Sequence, residues 1–205
     1  MGWGKMLAVN TASESNLSDI VALHKQQYSR SHFTSLLPDH VLGRYYEYFL
    51  RDKCVIIISE AKDGDKTTIN GFVACGEEIP NKIAVFKKAN RAGLFLAALL
   101  NLSTAVKKVI GDIYYKFFDM PVTFTEAKFL IISIVSKRTT KGIGKALLEK
   151  CCAVAINMGH SSIGLYVRVC NLGALKFYLR NGFLIIGYVA GQFYMELKIG
   201  QGTTD

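Results

Sequence analysis

The passage from Lys128 to Met158 constrains this chain more than any other. An apolar run, KFLIISIVS, enters a turn with glycines at 142 and 144 and leaves as an amphipathic run ending before Gly159. The first part reads as a buried strand and the second as a helix with a glycine cap. A strand feeding a helix through bare backbone gathers unpaired N–H groups and the positive end of a helix dipole at one point, which suits phosphate. Gly142 and Gly144 admit a ligand where a Cβ would block it, and Lys141 and Lys145 add charge. An ordinary tight connection with surface lysines fits the same residues. Two phosphate loops are excluded. A Walker loop needs glycine where Thr139 stands and Ser or Thr where Ala146 stands, and a dinucleotide fingerprint needs glycine at Leu147.

Around this passage the pattern is ordered. Asp19 to Tyr28 and Asp39 to Leu50 have helical spacing, with Pro38 and Asp39 opening the second helix. CVIIISEA (54–61) and INGFVACGEE (69–78) are strands joined through Asp63-Gly64, a hairpin signal. Residues 83–118 form a hydrophobic, basic, helical insertion. After the glycine loop come a strand, SSIGLYVRVC, a short helix capped by Asn171, and a hairpin turning near Gly191. The predicted order is ααββ, the insertion, then βαβαββ, in one domain spanning 1–205. With no repeat or linker in 205 residues, a second domain has no place to begin.

Charge bears on the partner. Lysine and arginine number 25 against 16 acids, a net +9, which favours an anionic ligand. Between Lys82 and Lys116 there are seven basic residues (Lys82, Lys87, Lys88, Arg91, Lys107, Lys108, Lys116) and one acid, Asp112. Interleaved with leucine and alanine, they suit helices lying on an anionic membrane, or a packed helical hairpin with a solvated face. Nucleic acid fits less well, because stacking aromatics are not interleaved with the charges. The five cysteines form no CxxC pair and sit in apolar contexts, so reduced thiols and a cytoplasmic address are expected. No signal peptide is read at the N-terminus, and Ala92 to Leu100 is too short to span a bilayer.

NLGALKFYLRNGF settles more than the loop. Asn171, Ala174, Tyr178 and Gly182-Phe183 stand at the spacing Asn-x-x-Ala-x-x-x-Tyr-x-x-x-Gly-Phe, downstream of Gly142-Ile143-Gly144. The pair, with the helical and hairpin lead-in, resembles the GNAT superfamily of acetyl-CoA-dependent N-acyltransferases over nearly the whole chain. The resemblance implies an α/β fold with a mixed, mostly antiparallel sheet of six or seven strands flanked by helices, and a splayed strand pair near Ile134 and Leu165. It implies that Ile134, Val135 and Ser136 pair with the pantetheine arm of acetyl-CoA. Thr139, Thr140, Lys141, Gly142, Ile143, Gly144 and Lys145 would hold the pyrophosphate, with Asn171 and Ala174 also at the cofactor. The family's usual Arg or Gln is replaced by Thr139, with Arg138 one residue early, which puts cofactor affinity in question.

By the same resemblance Tyr178 protonates the leaving thiolate. A phenol of pKa about 10 keeps its proton until a thiolate of pKa about 8.5 forms beside it. Core packing is the competing account of this tyrosine. Glu77 and Glu78, ending a strand beside the acceptor cleft, are the candidate bases, with Glu126 a third. Arg30, Ser31, His32 and Phe33 lie where family members shape the acceptor site. The expected reaction is direct attack by a primary amine, with neither metal nor acyl-enzyme, since Cys151-Cys152 reads as helix packing. The aromatic stretch LLPDHVLGRYYEYFL and the basic insertion resemble members of surface-sugar pathways, which points to a nucleotide-linked amino sugar as acceptor, and the +9 charge disfavours a polycation. The alternative is a non-enzymatic module that binds membrane or nucleic acid through 82–116.

Overall fold

A computed structural model describes residues 8–28, 33–63, 66–100, 124–136 and 141–200. Its strands are β1 (Ala8–Thr11), β2 (Cys54–Asp63), β3 (Lys66–Glu77), β4 (Phe129–Ser136), β5 (Ser162–Arg168), β6 (Leu184–Val189) and β7 (Gln192–Lys198). Its helices are α1 (Leu17–Gln27), α2 (Asp39–Glu47), α3 (Ile79–Ala89), α4 (Arg91–Leu100), α5 (Ile143–Asn157) and α6 (Leu172–Arg180). The strands form one sheet in the order β1-β2-β3-β4-β5-β7-β6, antiparallel throughout except where β4 and β5 run parallel. The expected fold is therefore the observed one. Strand β1, only four residues long and carrying Asn10 and Thr11, gave no strand pattern and was not expected.

Side-chain alternation builds two cores, one on each face of the sheet. In β2, Ile56 and Ile58 join the core under α1, α2 and α3 with Leu42, Tyr46 and Phe49, while Ile57 joins the core under α5 and α6 with Leu147, Cys151 and Tyr178. Two bulges interrupt this alternation. In β3, Gly71 pairs with Ser59 and Ile69 with Glu60, leaving Asn70 as the extra residue. In β4, Ser133 pairs with Ala74 and Ile131 with Cys75, leaving Ile132. A bulge re-aims the residues that follow it.

The second bulge lies where the sheet opens. The β4–β5 ladder has three pairs, Phe129 with Ile163, Leu130 with Gly164 and Ile131 with Leu165, and ends there although β4 continues to Ser136 and β5 to Arg168.

The insertion begins earlier than its sequence suggested, at Ile79, with Glu78 in a left-handed conformation (φ 54°) turning the chain from β3 into α3. Residues 101–123, with Lys107, Lys108, Asp112 and Lys116, lie outside the described residues. Lys82 is held internally, donating to the Arg51 carbonyl at 3.0 Å and to Asp52 at 3.0 Å. Among the described residues no helix is long and apolar enough to cross a membrane.

Candidate active site

Past Ile131 and Leu165 the two strands part, and the edge of β4 that faces β5 has no ladder partner. On its other edge Ile134, Val135 and Ser136 pair with Val73, Phe72 and Gly71 of β3. Backbone N–H and C=O groups left this way seek partners, and an extended chain carrying amides can supply them. The split is thus an open slot, closed on the β3 side and lined on the other by Tyr166 to Arg168.

The N-terminus of α5 stands beside the slot. Gly142 is its cap, at φ 88°, a left-handed conformation for which glycine is suited, and a Cβ there would meet open space. Ile143 is fully buried and seats the helix on β3, so closely that a Cβ on Gly71 would come within 2.5 Å of Ile143 Cγ2. Gly144 serves a different contact, since its Cβ would lie 3.3 Å from the ring of Phe177 on α6. Lys141 and Lys145 are exposed, and Lys145 lies 3.8 Å from Glu149 one turn on. Thr139 and Thr140, with Arg138, lie outside the described residues.

Helix α6 joins the core on the α5 face of the sheet. The Asn171 side chain caps it by accepting from the Ala174 N–H at 3.2 Å, and Ala174 packs against the core. One turn further, Tyr178 is buried between Phe177 and Phe183, with ring centroids 5.3 Å away in each case. Burial raises its pKa, and the nearby Tyr28 and Cys151 push the same way. A phenol in that setting stays protonated.

On the opposite face the slot is flanked by residues that sequence patterning did not single out. Tyr28 caps the C-terminus of α1; burial raises its pKa, while Ser133 of β4 and Arg168 of β5 act against that. Tyr28 is therefore close to both walls of the slot. Tyr166, the first β5 residue past the last ladder pair, donates its hydroxyl hydrogen to Glu126. The link spans 40 residues, which no local pattern reveals.

The structure does not bring Glu77 to the slot. Glu77 pairs with Phe129 at the far end of the β3–β4 ladder, on the α5 face, where Lys53 at 3.0 Å and His160 at 3.0 Å hold its carboxylate. The Lys53 hydrogen bond, helped by His160, lowers its pKa. His160 follows the C-terminus of α5, whose 15 residues measure about 22 Å, so Glu77 stands at the opposite end of that helix from Gly142. Glu77, Glu78 and Glu126 all line one cleft of about 320 Å³, together with Leu130. Arg30, Ser31 and His32 lie outside the described residues, and Phe33 opens a short 3-10 turn, Phe33–Leu36.

A slot between diverging parallel strands, with a helix N-terminus at one end and a buried phenol on one face, is also a shape found in known proteins. A family model described as the acetyltransferase (GNAT) family matches residues 17–183. No curated protein matches the sequence significantly. Solved structures similar to this one include the PaiA N-acetyltransferase of Thermoplasma acidophilum in complex with coenzyme A. It is 15% identical, with a TM-score of 0.56, and the alignment covers 94% of this chain and 98% of that one. The yncA protein of Salmonella typhimurium, solved with acetyl-CoA, is 11% identical at a TM-score of 0.55, covering 97% and 96%. An N-acetyltransferase of Staphylococcus aureus Mu50 is 14% identical at a TM-score of 0.57, covering 95% and 99%.

Proposed function

The chain belongs to the GNAT family of acetyltransferases, and from that premise we propose that it is a single-domain N-acetyltransferase carrying acetyl from acetyl-CoA to a primary amine of a small molecule. The observation that carries this reading is the β4–β5 split, which ends its ladder at Ile131 and Leu165 beside the N-terminus of α5. When bound, acetyl-CoA supplies the thioester. Ile134 to Ser136 offer the pantetheine arm their unladdered edge. Lys141, Gly142, Ile143, Gly144 and Lys145, with Thr139 and Thr140 before them, hold the pyrophosphate at the helix N-terminus. Asn171 and Ala174 fix the start of α6 and so place Tyr178, whose Oη donates its proton to the leaving sulfur.

The amine attacks directly, without an acyl-enzyme. The Cys151 thiol is pushed well up by its hydrogen bond with Cys75 and by burial, and burial pushes Cys152 up to about 11. Both therefore stay protonated, and a thiol in that state is a poor nucleophile. Reduced thiols also fit the cytoplasmic address that belongs to this proposal.

A nucleotide-linked amino sugar is the acceptor we carry forward, with Arg30, Ser31, His32 and Phe33 at its site. That choice rests on the resemblance alone, because the aromatic residues Tyr46 and Phe49 that suggested it are buried in the core. A screen of amine acceptors with mass detection, alongside calorimetry with acetyl-CoA, tests the reading. Acetylated product is expected; a protein that fails to bind acetyl-CoA would defeat it.

One observation favours a second contact. On α4, Phe95 is 69% exposed and Leu99 57%, near the exposed Lys87, Lys88 and Arg91. An anionic membrane surface would cover both kinds of side chain. Sedimentation with phosphatidylserine vesicles tests it, and binding that survives Phe95→Glu would count against it.

A further inference from the structure

Among the described residues, one cation on the wall of the slot has no ionic partner. Beyond the last β4–β5 pair, β5 carries Tyr166, Val167 and Arg168. Successive side chains of a strand point to opposite faces. Val167 joins the core under α5 and α6, while Tyr166 packs against the core under α1 and α2, so Arg168 falls on the Tyr166 side. Its exposed side chain therefore stands on the α1 and α2 face of the split. Gly142, the cap that suits the pyrophosphate, belongs to a helix on the other face.

The backbone under this cation is fixed. Strand β5 stays paired with β7 to its last residue, Arg168 with Gln192, and the Val169 N–H donates to the Gly191 carbonyl at 3.2 Å. Burial raises the Tyr28 pKa, and Ser133 and then the Arg168 guanidinium act against that rise, which sets the guanidinium near the Tyr28 hydroxyl. Glu126 lies on the same face, but its partner is the Tyr166 hydroxyl. Among the described residues Arg168 makes no ion pair, and its guanidinium donates no hydrogen bond. An arginine keeps its charge at every working pH and presents five N–H donors in a planar fork. That fork is unspent at the mouth of the slot.

Resting on the acetyltransferase reading above, we propose that Arg168 binds an anionic group of the acceptor, so that the substrate class is a primary amine that also carries a phosphate or a carboxylate. Both groups are oxyanions that a guanidinium grips with two parallel N–H···O bonds. Arg168 lies three residues beyond the last ladder pair, about 10 Å along β5, so an anion held there leaves the amine to reach back towards the end of the ladder. The charge at that end has the opposite sign. The cleft that meets the ladder at Leu130 is lined by Glu77, Glu78 and Glu126 against one lysine, Lys128. Carboxylates at one end and a guanidinium at the other orient a molecule that carries both charges. A nucleotide-linked amino sugar, with its diphosphate, is a member of this class. A merely solvated arginine would give no discrimination among amines of similar size.

Three primary amines on one aminoethyl stem are the probes: O-phosphoethanolamine carries a phosphate, β-alanine a carboxylate and ethanolamine neither. Acetyl transfer is followed by mass and acetyl-CoA affinity by calorimetry, at low salt so that charge is not screened. At least one anionic probe is expected to exceed ethanolamine in kcat/KM by about 10-fold, through KM, and which of the two does so identifies the anion. Arg168→Gln should bring that ratio close to one with acetyl-CoA affinity unchanged. Arg168→Lys, which keeps the charge and loses the fork, should keep part of the preference. Ethanolamine used as well as both anionic amines, or a preference that survives Arg168→Gln, overturns the proposal. Weaker acetyl-CoA binding by Arg168→Gln also overturns it, because the cation would then serve the cofactor. Acetyl-CoA bound without transfer to any of the three overturns it too. Absence of acetyl-CoA binding by the wild-type protein would instead defeat the acetyltransferase reading on which it rests.

Discussion

Tyr178 is 7% exposed and lies against two phenylalanines, so packing and catalysis make competing claims on one side chain. Removing the hydroxyl alone separates them. Tyr178→Phe keeps the ring between Phe177 and Phe183, so acetyl-CoA affinity and Tm should stay close to wild type. Turnover should fall by about 10²-fold, the range of acid catalysis. Unchanged turnover across pH in a folded variant would leave Tyr178 as a packing residue only. The position of this tyrosine was legible because everything that sets it is local. Asn171 caps the helix three residues before Ala174, and Tyr178 follows one turn later. Glu77 was not legible in that way. A strand-end residue can be assigned to a face only by counting along the strand, and the bulge at Asn70 breaks the count; Ile132 does the same in β4. Tyr166 and Glu126 meet only through the tertiary fold.

Helix α5 is fixed at both ends, and its two glycines do different work. Gly142 caps it in a left-handed conformation with open space around the missing Cβ, whereas Gly144 lets Phe177 of α6 approach. The sequence pattern shows only bare backbone suited to a phosphate at both positions, because spacing along the chain carries no information about which helix lies across from it. The two positions should therefore fail differently. Gly142→Ala places a Cβ in a conformation costing about 1 kcal/mol, so it should lower Tm and raise the Michaelis constant for acetyl-CoA with kcat largely kept. Gly144→Val pushes on Phe177, and through α6 on Tyr178, so kcat should fall as well. Steady-state kinetics on the two variants checks the contrast; a Gly144→Val enzyme with wild-type kcat and only a raised Michaelis constant would return Gly144 to the phosphate alone. At the other end of the helix, the contacts of His160 and Lys53 with Glu77 tie α5 back to β2 and β3.

The sheet joins the two cores, and buried tyrosines sit in each: Tyr46 and Tyr194 on the α1 and α2 side, Tyr178 on the α5 and α6 side. Tyr46 accepts or donates a hydrogen bond with His24 Nδ1 at 2.7 Å, and burial raises its pKa well above the ordinary value. Burial also raises Tyr178, and pushes Tyr194 up to about 12. Unfolded tyrosine ionises at about 10. Because the folded values are raised, the unfolded chain binds fewer of these protons above that point, and stability falls with pH. The contribution is complete below about pH 10 and is lost as pH rises through the folded values. Among the ten tyrosines, the buried ones should ionise only well above the ordinary value of about 10. The buried set should follow in one cooperative step, since a phenolate on either face opens a core built on strands shared with the other. Near-ultraviolet absorbance and circular dichroism, followed together, test this: the second ionisation step should coincide with loss of the aromatic dichroism. Smooth ionisation of all the tyrosines near pH 10 with that dichroism intact would show that the two cores do not seal their phenols, and would remove the physical basis for treating Tyr178 as a donor that keeps its proton through the assay range.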